Sequence, residues 1–252
     1  MDNRALKKRF WMVSSTHMFI EVFLLMHLTL LPVFVDEFQL SLLEASLLVS
    51  IQSVVGLVMN VPAGVIADRV NAKMLLMVSL IIEGSSALLI SQAHQYWMLV
   101  LGVVLMRIAS PVYHISGLSQ ISKLATREQI SSLMGTHNAL GSVGAAVGSL
   151  SLSISLATIG WRTVYLSWAL PILLWVGVLF HAFPIDDTSA IKQPPSRSRS
   201  IQLTRIFNRN FIVFLTSIGV REIGVTSIVT FLTTYLITVR GVSQSIARAL
   251  YD

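Results

Sequence analysis

Long apolar runs separated by short polar connections fill most of the chain. Runs of about 20 mostly apolar residues cross a bilayer as helices. Such runs cover 11–34, 42–66, 74–92, 96–121, 130–157, 163–183 and 210–238. The pattern predicts an all-α membrane protein with seven spans, and an eighth opening near Ser243. The first run is longer than the apolar core of a signal peptide and no small-residue cleavage site follows it, so it reads as an uncleaved span. Ser41-Leu42-Leu43-Glu44 opens the second span as a capping box.

One connection differs from the others. Residues 184–209 carry Pro184, Asp186-Asp187, Pro194-Pro195 and the run from Ser196 to Ser200, the composition of a solvated linker. It divides a six-span bundle, 1–183, from the start of a second bundle, 210–252. Leu40-Ser41-Leu42-Leu43-Glu44-Ala45 after span one is echoed by Val242-Ser243-Gln244-Ser245-Ile246-Ala247 after span seven. Six spans, a linker and a restart form the pattern of a duplicated carrier. The chain ends within what reads as span eight, so the expectation is a truncated product.

Composition agrees with a lipid-facing surface. The residues are 54% hydrophobic and 12% charged, against about 25% charged in soluble domains. The net charge of +6 does not form a patch, which argues against nucleic acid. With the N-terminus in the cytoplasm, thirteen Lys and Arg flank the spans on the inner side and three (Arg162, Arg240, Arg248) on the outer. That asymmetry sets the orientation. Trp11, Trp97 and Trp161 fall near expected membrane surfaces. There is no cysteine, the six histidines lie on separate segments, and no catalytic or phosphate-binding motif is present. No metal site, no cofactor and no enzyme activity are expected.

Ionisable residues inside spans cost about 2.5–3.5 kcal/mol each at mid-membrane and mark functional sites. They are His17 and Glu21 in span one, Glu83 in span three, Arg107 and His114 in span four, His137 in span five, and Arg221 and Glu222 in span seven. His17 and Glu21 share a helix face, as do Arg107, Ser110 and His114. Gln52, Gly56 and Asn60 make a polar stripe on span two. These alignments predict a wet cavity between helices. Glu83 is expected to bond span two at Asn60, and His137 to bond a neighbouring helix. Gly141, Gly144 and Gly148 lie along one face and predict close helix packing.

The loop Gly64-Val65-Ile66-Ala67-Asp68-Arg69-Val70-Asn71-Ala72-Lys73 resembles the signature of the major facilitator superfamily at Gly64, Asp68, Arg69 and Lys73. Asn71 stands where that family has glycine, and asparagine tolerates positive φ. Arg107 matches an arginine the family often has in span four. Gly144 and Gly148 match part of a span-five glycine motif whose proline is lacking here. His17, Leu31-Pro32 and Tyr113-His114 resemble the fosmidomycin-resistance-like branch of that family.

The resemblance implies a major facilitator-type six-helix bundle whose spans one, four and seven line a central cavity. Depths reckoned at about 1.5 Å per residue match Glu21 with His114 or Arg221, and Arg107 with Glu222. The expectation is a mid-membrane network of Glu21, His114, Arg107, Arg221 and Glu222, with His17 beside it. Its partners would be a small-molecule substrate, protons and the lipid bilayer. Function would be alternating access, as proton-coupled efflux or as proton-coupled uptake of a small organic anion or sugar.

Overall fold

The computed structural model describes residues 3–183, 208–214, 216–221, 224, 240 and 241. The chain divides into two compact units, Met1–Asp186 and Asp187–Asp252. The first is built from helices α1 (Asn3–Glu21), α2 (Met26–Thr29), α3 (Leu31–Glu37), α4 (Leu42–Ala67), α5 (Ala72–Ser91), α6 (Tyr96–Leu124) and α7 (Ile130–Ala182). In the second, 209–214 and 216–221 are helical. The expected linker and most of span seven, with the echo of the first loop, lie outside the described residues.

Five stretches among the described residues are long and apolar enough to cross a membrane. α4, α5 and α6 start and stop within three residues of the expected bounds. α4 begins at the capping box: the Glu44 amide donates to Ser41 Oγ, and the Ser41 amide donates to Glu44 Oε2. The expected spans five and six run together as α7, bent at Gly160, whose φ of 73° is open to glycine but strained for other residues. The expected span one is instead interrupted. Helix extends back to Asn3 through the basic cluster, then breaks into turns at 22–25. There the Met26 amide bonds the Phe23 carbonyl, three residues back, where an α-helix would use Val22.

α5 packs on α6 and α7, α1 on α7 and α6, and α4 on α6. The core centres on aromatic and aliphatic side chains from α1, the 22–25 turns, α5, α6 and α7, including Phe23, Leu80, Tyr113, Trp161 and Tyr165. Leu57, Val61 and Leu174 point outward. Apolar faces of this kind suit a lipid surround.

The closest approach is between α1 and α7. A Cβ on Gly144 would collide with the Met18 carbonyl, and one on Gly148 with the Val22 carbonyl. A Cβ on Gly141 would sit 2.5 Å from Cε1 of the His17 ring. The three glycines let two backbones touch and leave a slot for an imidazole. Gly64, by contrast, faces open space within its unit, so no neighbouring helix presses on it there.

One end of the first unit is closed by Glu37. Its carboxylate accepts from Trp161 Nε1 at 2.7 Å and pairs with Arg162, which also donates to the Ala93 carbonyl at 2.6 Å. Trp161 is therefore buried and bonded, not a surface anchor, while Trp11 and Trp97 are exposed. At the other end Lys73 Nζ donates to the Phe180 carbonyl at 2.7 Å, in the last turn of α7, where a cation meets the negative helix end.

Gly144→Ala and Gly148→Ala are each expected to destabilise the protein by about 1–3 kcal/mol or more, since the helices must part. Gly135→Ala and Gly177→Ala, on the same helix with open space around them, should be neutral or stabilising by about 0.5–1 kcal/mol. Thermal unfolding of the four variants in detergent checks the contrast. Equal melting temperatures would disprove a backbone contact.

Candidate functional site

The break in span one sits beside a buried polar cluster. Glu21, the last residue of α1, places Oε1 2.9 Å from His114 Nε2 and 3.5 Å from His17 Nε2. His17 and Glu21 are one turn apart on α1, and His114 comes from α6. His17 is buried and does not reach toward the membrane surface. Its Nδ1 lies 3.0 Å from the backbone carbonyl of His137 on α7. The rings of Tyr113, His17 and His137 pack as a near-parallel triangle, with centroids 4.4 Å apart for His17 and His137, 5.4 Å for His17 and Tyr113, and 6.3 Å for Tyr113 and His137. Tyr113 donates its hydroxyl to the Val13 carbonyl at 2.9 Å, and His137 Nδ1 meets Ser14 Oγ at 3.1 Å. The bond of His137 to a neighbouring helix is thus present.

Three of the six histidines meet here although they are far apart in sequence. Packing of α1 against both α6 and α7 brings them together, which their separate segments did not reveal. His17, Glu21 and His114 offer ligand atoms all within 4.8 Å of one another.

Next to this cluster lies a cavity of about 30 Å³, lined by Glu21, His27, Gln52, Glu83, Arg107 and Ser110 among others. That is room for one or two waters. Arg107 Nε donates to Gln52 Oε1 at 3.0 Å, and Gln52 Nε2 donates to the Leu48 carbonyl at 3.0 Å. Gln52 thus presents its acceptor to the guanidinium and its donor to its own helix. Pro111, one turn on, has no N–H for the Arg107 carbonyl, which leaves a backbone acceptor at the same level of α6.

Glu83 is buried on the cavity wall and shares its electrostatic field with Glu21 and Arg107. It does not bond Asn60. Asn60 is exposed and donates to the Gly56 carbonyl of its own helix. The polar stripe on α4 therefore splits: Gln52 faces the cavity and Asn60 does not. His27 also lines the cavity and was not among the sequence candidates. On an unbroken helix it would point about 120° away from Glu21; the turns at 22–25 change that register. An inventory of every ionisable residue in span one would have included it.

Of the expected network, Glu21, His114, His17 and Arg107 gather at this place. Arg221 belongs to the second unit, and Glu222 lies outside the described residues. The loop residues Asp68 and Arg69 are exposed. Asn71 has φ −60°, so it does not take the left-handed turn expected of it. It caps α5, its side chain accepting from the Lys73 amide at 2.8 Å.

The family model described as Major Facilitator Superfamily matches residues 13–251. A "Nitrite extrusion protein" of Bacillus subtilis is 28% identical over 145 residues, covering 58% of this chain and 36% of that protein. A "Probable nitrate transporter" of Staphylococcus epidermidis is 23% identical over 151 residues, covering 60% of this chain and 38% of that protein. The chain thus spans little over a third of the length of these curated relatives. Among solved structures, a bacterial homologue of the human lysosomal transporter Spinster, inward-facing and unoccupied, superposes with a TM-score of 0.68. It is 18% identical, and the match covers 97% of this chain and 57% of that one. The same protein in its occupied form gives 0.63. These two likenesses establish the fold.

Proposed function

This chain belongs to the Major Facilitator Superfamily, and we propose that it is a multi-pass carrier moving a small oxyanion of the nitrate or nitrite class together with protons. The observation that carries this reading is the joint placement of Arg107, Gln52 and Glu83 around one small cavity within apolar helices. An arginine oriented by a side-chain amide is a ready partner for a planar oxyanion. The names of the relatives from Bacillus subtilis and Staphylococcus epidermidis support the same class.

Charge balance supports the coupling. Glu21 is already engaged by two imidazoles. Glu83 has no such partner among the described residues, and while it is ionised it adds to Glu21 in offsetting the charge of Arg107. Placing a proton on Glu83 frees Arg107 to take an anion, so proton and anion load together. Unloading reverses both steps as the two bundles exchange access. Joint loading favours proton-coupled uptake over the export expected from sequence, because an exporter exchanging anion for proton needs the two to compete.

The full chain in proteoliposomes, with a pH-sensitive dye inside, tests this. An inward nitrate or nitrite gradient should acidify the lumen. Arg107→Gln should slow the flux roughly tenfold or more, the loss expected for a hydrogen bond to a charged group. Glu83→Gln should leave nitrate movement without acidification. No acidification with either anion would sink the reading.

We also propose that the N-terminus faces the cytoplasm, on the strength of the basic residues gathered at that end. The native chain has no cysteine, so single cysteines report without background. Thr126→Cys should resist an impermeant maleimide on intact cells, and Gln39→Cys should react. The opposite labelling would invert the topology.

A further inference from the structure

We propose that His17, Glu21 and His114 form a binding site for a divalent transition-metal cation of the zinc class. The ligands are His17 Nε2, Glu21 Oε1 and His114 Nε2, and a fourth position is left for water or an anion. Nothing in the transport reading requires this site, and it stands on its own geometry.

The first support is a proton count. His17 Nδ1 lies 3.0 Å from the His137 carbonyl oxygen. A carbonyl only accepts, so Nδ1 carries the hydrogen. A neutral His17 therefore turns the lone pair of Nε2 toward Glu21 Oε1, 3.5 Å away. Two acceptors facing each other need positive charge between them. A proton on Nε2 would serve that pair alone. A metal ion satisfies both imidazoles and the carboxylate at once.

The spacing is near what such an ion requires. Zinc bonds of about 2.0–2.1 Å in a tetrahedron put ligand atoms about 3.3 Å apart. The two measured pairs are at 3.5 and 2.9 Å, and all three atoms fall within 4.8 Å. His114 is the looser ligand of the three. Its side chain is 35% exposed, against 8% for His17 and 11% for Glu21.

The site is also held from outside. The His137 carbonyl fixes the tautomer of His17 as carbonyls do for metal-bound histidines. Gly141 shapes the slot for the ring, and Tyr113 and His137 pack against it. His17 and Glu21 come from one helix at i, i+4, with the third ligand from another helix, so rigid elements set the geometry. Two histidines and a carboxylate with an open position form a set that exchanges its ion, in contrast to a closed structural site. The exposed edge of His114 is where an ion would enter.

Cobalt titration tests the proposal. Purified full chain in detergent, stripped with chelator, is titrated with Co²⁺, and the visible ligand-field absorption is followed. One Co²⁺ per chain with the strong absorption of four- or five-coordinate geometry is expected, displaced by Zn²⁺. His114→Ala and Glu21→Gln should each weaken binding roughly tenfold or more, the scale seen when even outer-shell partners of a metal are lost. His94→Ala, a histidine remote from the cluster, should leave it unchanged. Should the variants fail to fold, the unaltered chain still decides: Zn²⁺ should raise its melting temperature by mass action, and Mg²⁺ should not. Weak six-coordinate absorption, insensitivity to His114→Ala, or no Zn²⁺-specific thermal shift would each overturn the site.

Discussion

The contact between the backbones of α1 and α7 governs the rest of the first unit. Gly144 and Gly148 put the Met18 and Val22 carbonyls against a helix surface with no side chains in the way. In lipid no hydrophobic force draws helices together, so close packing and interhelical hydrogen bonds must do it. This seam supplies both. It also fixes where α1 stands relative to α6, and so which way Glu21 points. His17 fits between the helices because Gly141 leaves it a slot. The packing of Tyr113 and His137 against His17 is a consequence of that slot.

A second constraint is the cost of ionised groups away from water. An unpaired carboxylate or guanidinium in such a place costs several kcal/mol even after relaxation. The protein meets this cost differently for each group. Glu21 has two imidazoles, and Arg107 has the amide oxygen of Gln52. Glu83 has the field of Arg107 across a cavity and no shorter contact among the described residues. Groups fully satisfied by their neighbours hold the architecture. The group left least satisfied is the one whose protonation has most to change.

The spans were legible because a bilayer imposes one length and one polarity on everything that crosses it. The bounds of α4, α5 and α6 follow directly from their apolar runs. The Ser41–Glu44 cap was legible too, because it depends on neighbours three apart. Features set by tertiary packing were not. Residues 22–25 read Val-Phe-Leu-Leu, with no glycine or proline to mark a break. The break becomes visible only when Val22 is seen against Gly148. His27 is legible as an ionisable residue of span one, but its place beside Glu21 is not, because its register follows the break. A polar stripe on α4 implies one shared face, but α4 turns only Gln52 inward and leaves Asn60 exposed, out of reach of Glu83. Trp161 looked like a surface anchor because sequence could not show Glu37 reaching its indole. The meeting of three histidines from three helices had no local signature.

The bond from Lys73 to the Phe180 carbonyl has a mechanical meaning. Lys73 follows the loop that carries Asp68 and Arg69, and Phe180 sits in the last turn of the helix from which the chain leaves the bundle. The two are far apart in sequence yet joined like the ends of a tie-rod. Phe183 is itself buried beneath the Arg9 guanidinium, so the end of α7 is tied both to α1 and, through Lys73, to the hairpin of α4 and α5. Force arriving from one connection is thereby shared with another before it reaches the helices around Arg107.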